Sequence, residues 1–593
     1  MATYSLCAPI ALVPVLLNFL TVTLATPDDL VISTTHGKVQ GKWLSVQGGD
    51  VRAFLGIPYG KPPLGKLRFR APEPVERWEG VKDATKYPNS CYQIFDTAFP
   101  GFSGAEMWNP NTPLNEDCLY LNVWTPRTNK TQPQPTPLAP VLVWIYGGGF
   151  HLGTSSLDLY DGRFLSRSEG VVVVSMNYRL GAFGFLSLPD NKNIRGNAGL
   201  LDQRLALQWV ANNIAAFGGD ASKVTLFGES AGSGCVGFHL LSPGSQSLFQ
   251  RAVMQSGSPN GDWATVSQTD AWNRSLRLAT LLGCPTSHPT QVESCLQQVD
   301  AQKITMKQYD VLTQASLLAL PFVPLVDGDF LPDEVEVLLS STNLPKKEVM
   351  FGLNKDEGTY FLVYGAPGFN ITGQSLITRD QFLKGVELVM ADASNIVKEA
   401  VVFQYTDWTD ENNRQKNRDF LGSLVGDQMF VCPVTEFAYR YSQGGGRTFL
   451  YLFDHRSSVN QWPEWMGVMH GYEIEFVFGM PLNMSLGYTQ SEVNMTKKFM
   501  KHWANFARLG NPGIDGAKWP MFTPEHQEYV TLNSLHPVQK RMMRAKECQL
   551  WNKFMPQIKK LSDELLACNN ANGIIVCSNF ISLLILLVIT QVN

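Results

Sequence analysis

Gly228-Glu229-Ser230-Ala231-Gly232 is the stretch that decides the fold. Ahead of it, Lys223-Val224-Thr225-Leu226-Phe227 is a short apolar, β-prone run that reads as a buried strand. Behind it, Ala231 to Leu241 reads as a helix. A strand that reverses sharply into a helix holds the central side chain in a strained, exposed position. Glycines at 228 and 232 remove the Cβ atoms that would clash in such a turn. The pattern is G-x-S-x-G in a strand–turn–helix context, which makes Ser230 a candidate nucleophile.

A serine hydroxyl is a poor nucleophile at neutral pH. It needs a base to take its proton and a carboxylate to orient that base. With this turn the order along the chain is serine, then acid, then histidine. The chain has nine histidines. His470 lies in Gly467-Val468-Met469-His470-Gly471, after the strand-like run Thr448 to Phe453. Glu357 lies in Asn354-Lys355-Asp356-Glu357-Gly358, after the run Glu348 to Gly352. Both loops are expected at the carboxyl edge of a sheet, where Ser230 sits. The residues alone leave Asp356 level with Glu357, and His455 level with His470. A tetrahedral intermediate also needs preorganised N–H donors. Gly147-Gly148-Gly149 follows the apolar run Val141 to Tyr146, and the N–H of Ala231 follows the serine, so the two together form the expected oxyanion hole.

Working outward, Val51 to Gly56, Asp117 to Trp124, Val171 to Met176 and Arg251 to Gln255 are further strand-like runs. The runs Val141 to Tyr146 and Val171 to Met176 are continuously apolar, as strands covered on both faces are. Gly199 to Phe217 has helical periodicity, and Gly218-Gly219 stops it. Strands alternating with helices predict an α/β fold with a large, mainly parallel central sheet flanked by helices. The stretch from Asn260 to Leu344 is expected to be irregular and to cap the site.

The 593 residues are 44% hydrophobic, enough for a large core, and carry a net charge of −4, which argues against nucleic acid as a partner. There is no internal repeat, and the Pro/Gln-rich segment from Gln132 to Pro140 reads as a surface loop. Residues 1–25 are uncharged and apolar and end in Thr23-Leu24-Ala25, the pattern of a secretory signal. Ten cysteines fit an oxidising compartment, with Cys7 leaving with the signal. Glycosylation sequons begin at Asn129, Asn273, Asn370, Asn483 and Asn494. After Glu564 there is no charged side chain, and residues 574–592 are mostly apolar with no basic flank. Small residues just ahead of that tail point to a GPI-attachment signal rather than a transmembrane helix.

Glu116-Asp117-Cys118-Leu119-Tyr120-Leu121-Asn122-Val123, Gly147-Gly148-Gly149-Phe150 and Phe227 to Gly232 resemble the type-B carboxylesterase family of α/β-hydrolases. Trp462-Pro463-Glu464-Trp465-Met466-Gly467-Val468-Met469-His470-Gly471-Tyr472-Glu473 resembles the cholinesterases within it. The resemblance covers roughly residues 28–560. It implies an active site at the base of a gorge and a triad of Ser230, Glu357 and His470. It also implies oxyanion donors at Gly148, Gly149 and Ala231, and no cofactor or metal.

The same resemblance implies disulfides Cys91–Cys118, Cys284–Cys295 and Cys432–Cys548, with Cys235 left as a small buried residue. Cys568 matches an interchain disulfide and so a homodimer, while Cys577 leaves with the processed tail. Domain limits follow as a signal at 1–25, a catalytic body at 26–567, and an anchor signal at 568–593. A quaternary ammonium binds aromatic faces by cation–π attraction. By resemblance Trp108 is the main platform, Tyr360 a second wall, and Glu229 the nearby negative charge. Asp96 and Tyr364 match the peripheral pair at the gorge mouth.

The acyl pocket is where the chain departs from acetyl-selective relatives. Leu318 and Leu320 stand where those enzymes carry phenylalanines, with Phe322 and Trp263 on the same pocket. Ile94 stands at a rim position that is often aromatic, His151 replaces a rim Tyr or Gln, and Tyr309 supplies one remaining rim aromatic. These departures resemble butyrylcholinesterase. The expected function is hydrolysis of choline esters, acetyl and larger, by an extracellular protein held to the membrane by a lipid anchor. Two alternatives stand beside it. A general carboxylesterase would lack the choline features Trp108, Tyr360 and Asp96. A non-catalytic adhesion protein of the same fold, like the neuroligins, would have lost the nucleophile.

Overall fold

A computed structural model of the chain describes residues 27–126, 137–313, 316–318, 320–341, 344–533 and 537–561. The signal segment, Asn129, Cys568 and the apolar tail lie outside the described residues.

Eleven strands form one sheet. In spatial order they are Val538–Arg541, Glu528–Leu532, Arg447–Phe453, Glu348–Asn354, Arg251–Gln255, Gly219–Glu229, Ala139–Ile145, Val172–Met176, Tyr120–Pro126, Gly49–Pro58 and Lys42–Val46. From Glu528–Leu532 to Val172–Met176 all neighbours run parallel, and both flanks finish in antiparallel pairs. The parallel strands are the continuous apolar runs of the sequence. Val141 to Tyr146 and Val171 to Val174 are fully buried, because helices cover both faces. A second, three-stranded sheet of Val31–Ser33, Lys38–Gln40 and Val81–Asp83 packs at one end.

The helix expected at Gly199 to Phe217 is Ala198–Asn213 followed by a tight turn at Ile214–Phe217. Gly218, at φ 89°, ends it in the left-handed region that glycine tolerates. The first expected residues of Asp117 to Trp124 are not strand. That strand begins at Tyr120, after Cys118 has bridged to Cys91. The stretch from Asn260 to Leu344 is less irregular than expected. It contains the helices Gln268–Leu281, Pro289–Leu296 and Ala301–Lys307.

Three disulfides, Cys91–Cys118, Cys284–Cys295 and Cys432–Cys548, match the expected pairing, and Cys235 is free and buried. Arg179 and Asp202 form a buried ion pair, joined by two hydrogen bonds of 2.8 and 2.7 Å. Burial pushes the Asp202 carboxyl up, and the Arg179 guanidinium pulls against that shift without cancelling it. Arg68 clasps Glu116 in the same two-pronged way and so ties the loop ahead of Tyr120–Pro126 to the body. Among the described residues no helix is long and apolar enough to cross a membrane.

Candidate active site

The strand Gly219–Glu229 ends at Ser230, and the helix Ala231–Leu241 begins at once. Ser230 has φ 57° and ψ −124°, a conformation that side chains rarely adopt. The two glycines are there for space. A Cβ on Gly232 would lie 2.1 Å from the Ile145 carbonyl oxygen, and one on Gly228 would lie 2.6 Å from the Gly232 carbonyl carbon. Glu229 and Ala231 are buried, while Ser230 keeps part of its surface open.

The pairs that the sequence left level lie apart in space. His470 Nδ1 lies 2.7 Å from Glu357 Oε2. Asp356 points the other way, and its Oδ2 accepts from the Val468 amide at 2.8 Å. His455 is elsewhere, 3.1 Å from Glu492. Glu357 is fixed on its far side by the Ser256 hydroxyl and the Asn354 amide, both at 2.6 Å from Oε1. A carbonyl-type oxygen accepting two such donors cannot swing, so the histidine it holds cannot either.

His470 Nε2 carries no hydrogen bond, although Glu229 Oε1 is 3.1 Å away off the bonding line. Three carboxyls, Glu229, Glu357 and Glu473, surround this one imidazole. Burial opposes a charge on His470, but the three carboxyls outweigh it and raise the imidazole well above its ordinary value. Burial in turn pushes Glu229 up, and the carboxylates of Glu473 and Glu357 add to it, against the pull of His470.

No motif marks what flanks the histidine. Phe430 lies against the His470 ring at 4.3 Å between centroids, and Phe361 at 5.3 Å. Phe430 is presented by a widened helical turn at Asp427–Val431. Asp427 in that turn is bound by Arg544 and by the Tyr405 hydroxyl. Glu473 is another residue without an assigned place. It accepts from Gln255 at 2.9 Å and Asn354 at 2.7 Å, so it braces the loop that carries Glu357. Its position three residues after His470 was the available signal.

Gly148, Gly149 and Phe150 take three successive positive φ values of 105°, 62° and 65°. Their loop runs beside Ser230, since a Cβ on Gly147 would lie 2.9 Å from Ser230 Cβ. The helix behind Ser230 adds the positive end of its dipole to the same spot. A Cβ on Gly149 would lie 2.8 Å from Leu320 Cδ2, which places that leucine against the loop. The Leu320 and Pro321 carbonyls accept from Arg274 at 3.1 and 3.2 Å, tying down this segment. Leu318 is half-buried on the same segment, and Phe322 is buried in the core. Trp263 packs 5.9 Å from Phe150 and 6.0 Å from Phe430, and its indole N–H donates to the Met429 carbonyl.

Trp108 comes to Gly471, the residue after the histidine. A Cβ on Gly471 would lie 3.3 Å from Trp108 Cη2 and 3.5 Å from Glu229 Oε1. Tyr472 stands edge-on to the Trp108 ring at 6.1 Å. Farther out, Asp96 Oδ2 accepts from the Tyr364 hydroxyl at 2.8 Å, and the Tyr364 and Tyr360 hydroxyls lie 3.1 Å apart. Tyr360 reaches inward to Trp462 at 5.4 Å. The structure therefore brings Trp108 and Glu229 to His470, and links Asp96, Tyr364 and Tyr360 in one chain. Of the sequons, Asn273, Asn370 and Asn494 are exposed and Asn483 is partly so. Among the described residues no cluster of three or more metal-ligating side chains is present.

Comparison with known proteins gives two concordant findings. Residues 28–551 match the description of the carboxylesterase family. An acetylcholinesterase from Bungarus fasciatus is 51% identical over 540 residues, spanning 91% of this chain and 88% of the relative. A match that runs nearly the whole length of the sheet and its helices, at half identity, leaves no other placement: this chain belongs to the carboxylesterase family, has its α/β-hydrolase fold, and is a carboxylic ester hydrolase.

Proposed function

We propose that the protein hydrolyses choline esters through an acyl-enzyme on Ser230. The observation that carries this reading is the meeting of Trp108 and Glu229 at Gly471, one residue after His470. An indole face and a carboxyl beside the general base make a seat for a quaternary ammonium next to the reacting ester. The relative whose printed name is acetylcholinesterase supports the same substrate class.

In the proposed mechanism Ser230 Oγ attacks the ester carbonyl while His470 Nε2 takes its proton. Glu357 holds the ring so that Nδ1 keeps its hydrogen, and stabilises the imidazolium that forms. The carbonyl electrons move onto oxygen, which the N–H groups of Gly148, Gly149 and Ala231 receive. Collapse expels choline, protonated by His470. Water, deprotonated by His470, then attacks the acyl group, and the carboxylate leaves with Ser230 restored. Tyr360 forms the second wall for the ammonium, and Asp96 with Tyr364 form the outer station that draws cations in. Leu318, Leu320, Phe322 and Trp263 bound the acyl side, and the two leucines admit acyl groups larger than acetyl.

The same reading extends to location. Residues 1–25 act as a secretory signal, 26–567 form the catalytic body, and the tail from 568 directs attachment of a GPI anchor. Cys568 joins two copies. The uncharged, apolar tail and the small residues ahead of it support the anchor, and phosphatidylinositol-specific phospholipase C should release activity from cell surfaces. For the chemistry, an organophosphate should label Ser230 covalently, and Ser230→Ala should reduce hydrolysis to near background while the protein stays folded. An adduct mapped by mass spectrometry to any other residue would contradict the proposal.

A further inference from the structure

His151 follows the glycine loop, and by sequence it belongs to the outer rim. Its ring turns back instead. Nδ1 lies 2.9 Å from the carbonyl oxygen of Gly149. A carbonyl oxygen only accepts, so Nδ1 carries the hydrogen. Burial pushes the imidazole down to about 4, so the ring is uncharged at neutral pH and Nδ1–H is its one donor. The ring of Tyr309 backs it edge-on at 5.6 Å and 81°. The imidazole also fills space beside Gly149, where a Cβ would lie 2.9 Å from His151 Cε1 and 3.1 Å from Nδ1.

This contact completes a clamp. The peptide plane that ends in the Gly149 N–H begins at the Gly148 carbonyl, and that oxygen accepts from the Leu152 and His151 amides at 2.9 and 3.2 Å. The next plane begins at the Gly149 carbonyl, which the His151 ring holds. A peptide unit is planar, so fixing its oxygen fixes its N–H. Gly149, at φ 62°, is the residue with most freedom to turn between the two planes. We propose that His151 is a positioning residue of the oxyanion hole, fixing Gly149 from the carbonyl side so that its N–H stays aimed at the developing alkoxide. The inference rests on the oxyanion-hole assignment proposed above.

The experiment compares wild type, His151→Leu and His151→Asn. Leucine removes the donor, whereas the asparagine amide nitrogen takes the place of Nδ1. Three readouts are needed: kcat and KM for acetylcholine, affinity for a trifluoromethyl ketone, and affinity for tetramethylammonium. The ketone forms a bond between Ser230 Oγ and its carbonyl carbon. The carbonyl pair becomes an alkoxide in the hole, and the serine proton goes to His470. Tetramethylammonium uses only the choline seat and reports that the site is folded. His151→Leu is expected to lower kcat and ketone affinity together, about three- to tenfold, the worth of one neutral hydrogen bond. KM and tetramethylammonium affinity should hold, and His151→Asn should restore most of the loss. Equal losses for both inhibitors, no loss for either, or an asparagine variant no better than leucine would overturn the inference. A wild type that binds the ketone no tighter than its unfluorinated parent would remove the hole assignment itself, and the inference with it.

Discussion

His470 Nδ1 and Glu357 Oε2 stand 2.7 Å apart, and the other oxygen of Glu357 is held by two donors at 2.6 Å from strand-end residues Asn354 and Ser256. The carboxylate is thereby part of the sheet's edge, and the histidine inherits that rigidity. Glu357→Gln should keep the fold and lose the tautomer control. In the general serine–histidine–acid template the equivalent amide change costs on the order of 10⁴-fold in kcat. A loss of at least about 10³-fold is expected here by the same mechanism, with the circular dichroism spectrum unchanged. A loss of only a few-fold would mean that another acid orients His470.

The ring of carboxyls sets a pH dependence. In the proposed mechanism catalysis needs neutral His470, so activity should fall as pH drops through its titration. Glu229 and Glu357 hold the proton on the pair and raise that titration above the ordinary value of 6.5. Glu229→Gln removes one of those charges, so His470 gives up its proton more readily and the acid limb should move to lower pH. An uncharged ester is the right substrate, because Glu229 is also placed at the choline seat. The kcat/KM profile checks it, and an acid limb that stays put or moves upward contradicts it.

How far the sequence could be read depends on which signal each element carried. Arg251–Gln255 was legible to the residue because its centre, Ala252-Val253-Met254, is a continuous apolar run buried on both faces. Gly219–Glu229 begins four residues ahead of the expected Lys223, where Asp220, Ser222 and Lys223 are polar and no periodicity marks them. Gln268–Leu281 was missed for a different reason. Its buried stripe includes Ala271, Ser275 and Ala279, too small and polar to show as a hydrophobic face. Within the site the motifs carried Ser230 and the glycine loop. The choice between Asp356 and Glu357 was invisible to spacing, because neighbours in a turn point in opposite directions. Phe361 and Phe430 depend on packing between segments 69 residues apart (430 less 361), which no local pattern encodes.

If the proposed acyl pocket is right, Leu320 against Gly149 sets the acyl selectivity. Phenylalanine there would leave room for little beyond a methyl group, whereas leucine leaves space for a butyryl chain, two methylenes longer than acetyl. Each buried methylene contributes about 0.8 kcal/mol, so butyrylcholine gains up to about tenfold if both are buried in the transition state. Both esters should therefore be used. Leu318→Phe combined with Leu320→Phe should depress butyrylcholine hydrolysis much more than acetylcholine hydrolysis. An unchanged ratio of kcat/KM would show that these side chains do not bound the acyl group.

Under the proposed function the site selects a quaternary ammonium through Trp108. Hydrolysis of acetylcholine and of its uncharged carbon isostere, 3,3-dimethylbutyl acetate, by wild type and by Trp108→Ala tests it most directly. Loss of a desolvated cation–π contact is worth about 1–2 kcal/mol or more, so kcat/KM for acetylcholine should fall roughly tenfold or more. The isostere should lose distinctly less, and the wild type should prefer the charged ester. Equal kcat/KM for the two esters in wild type, or equal losses on removing Trp108, would contradict the choline-esterase reading and leave a general carboxylesterase.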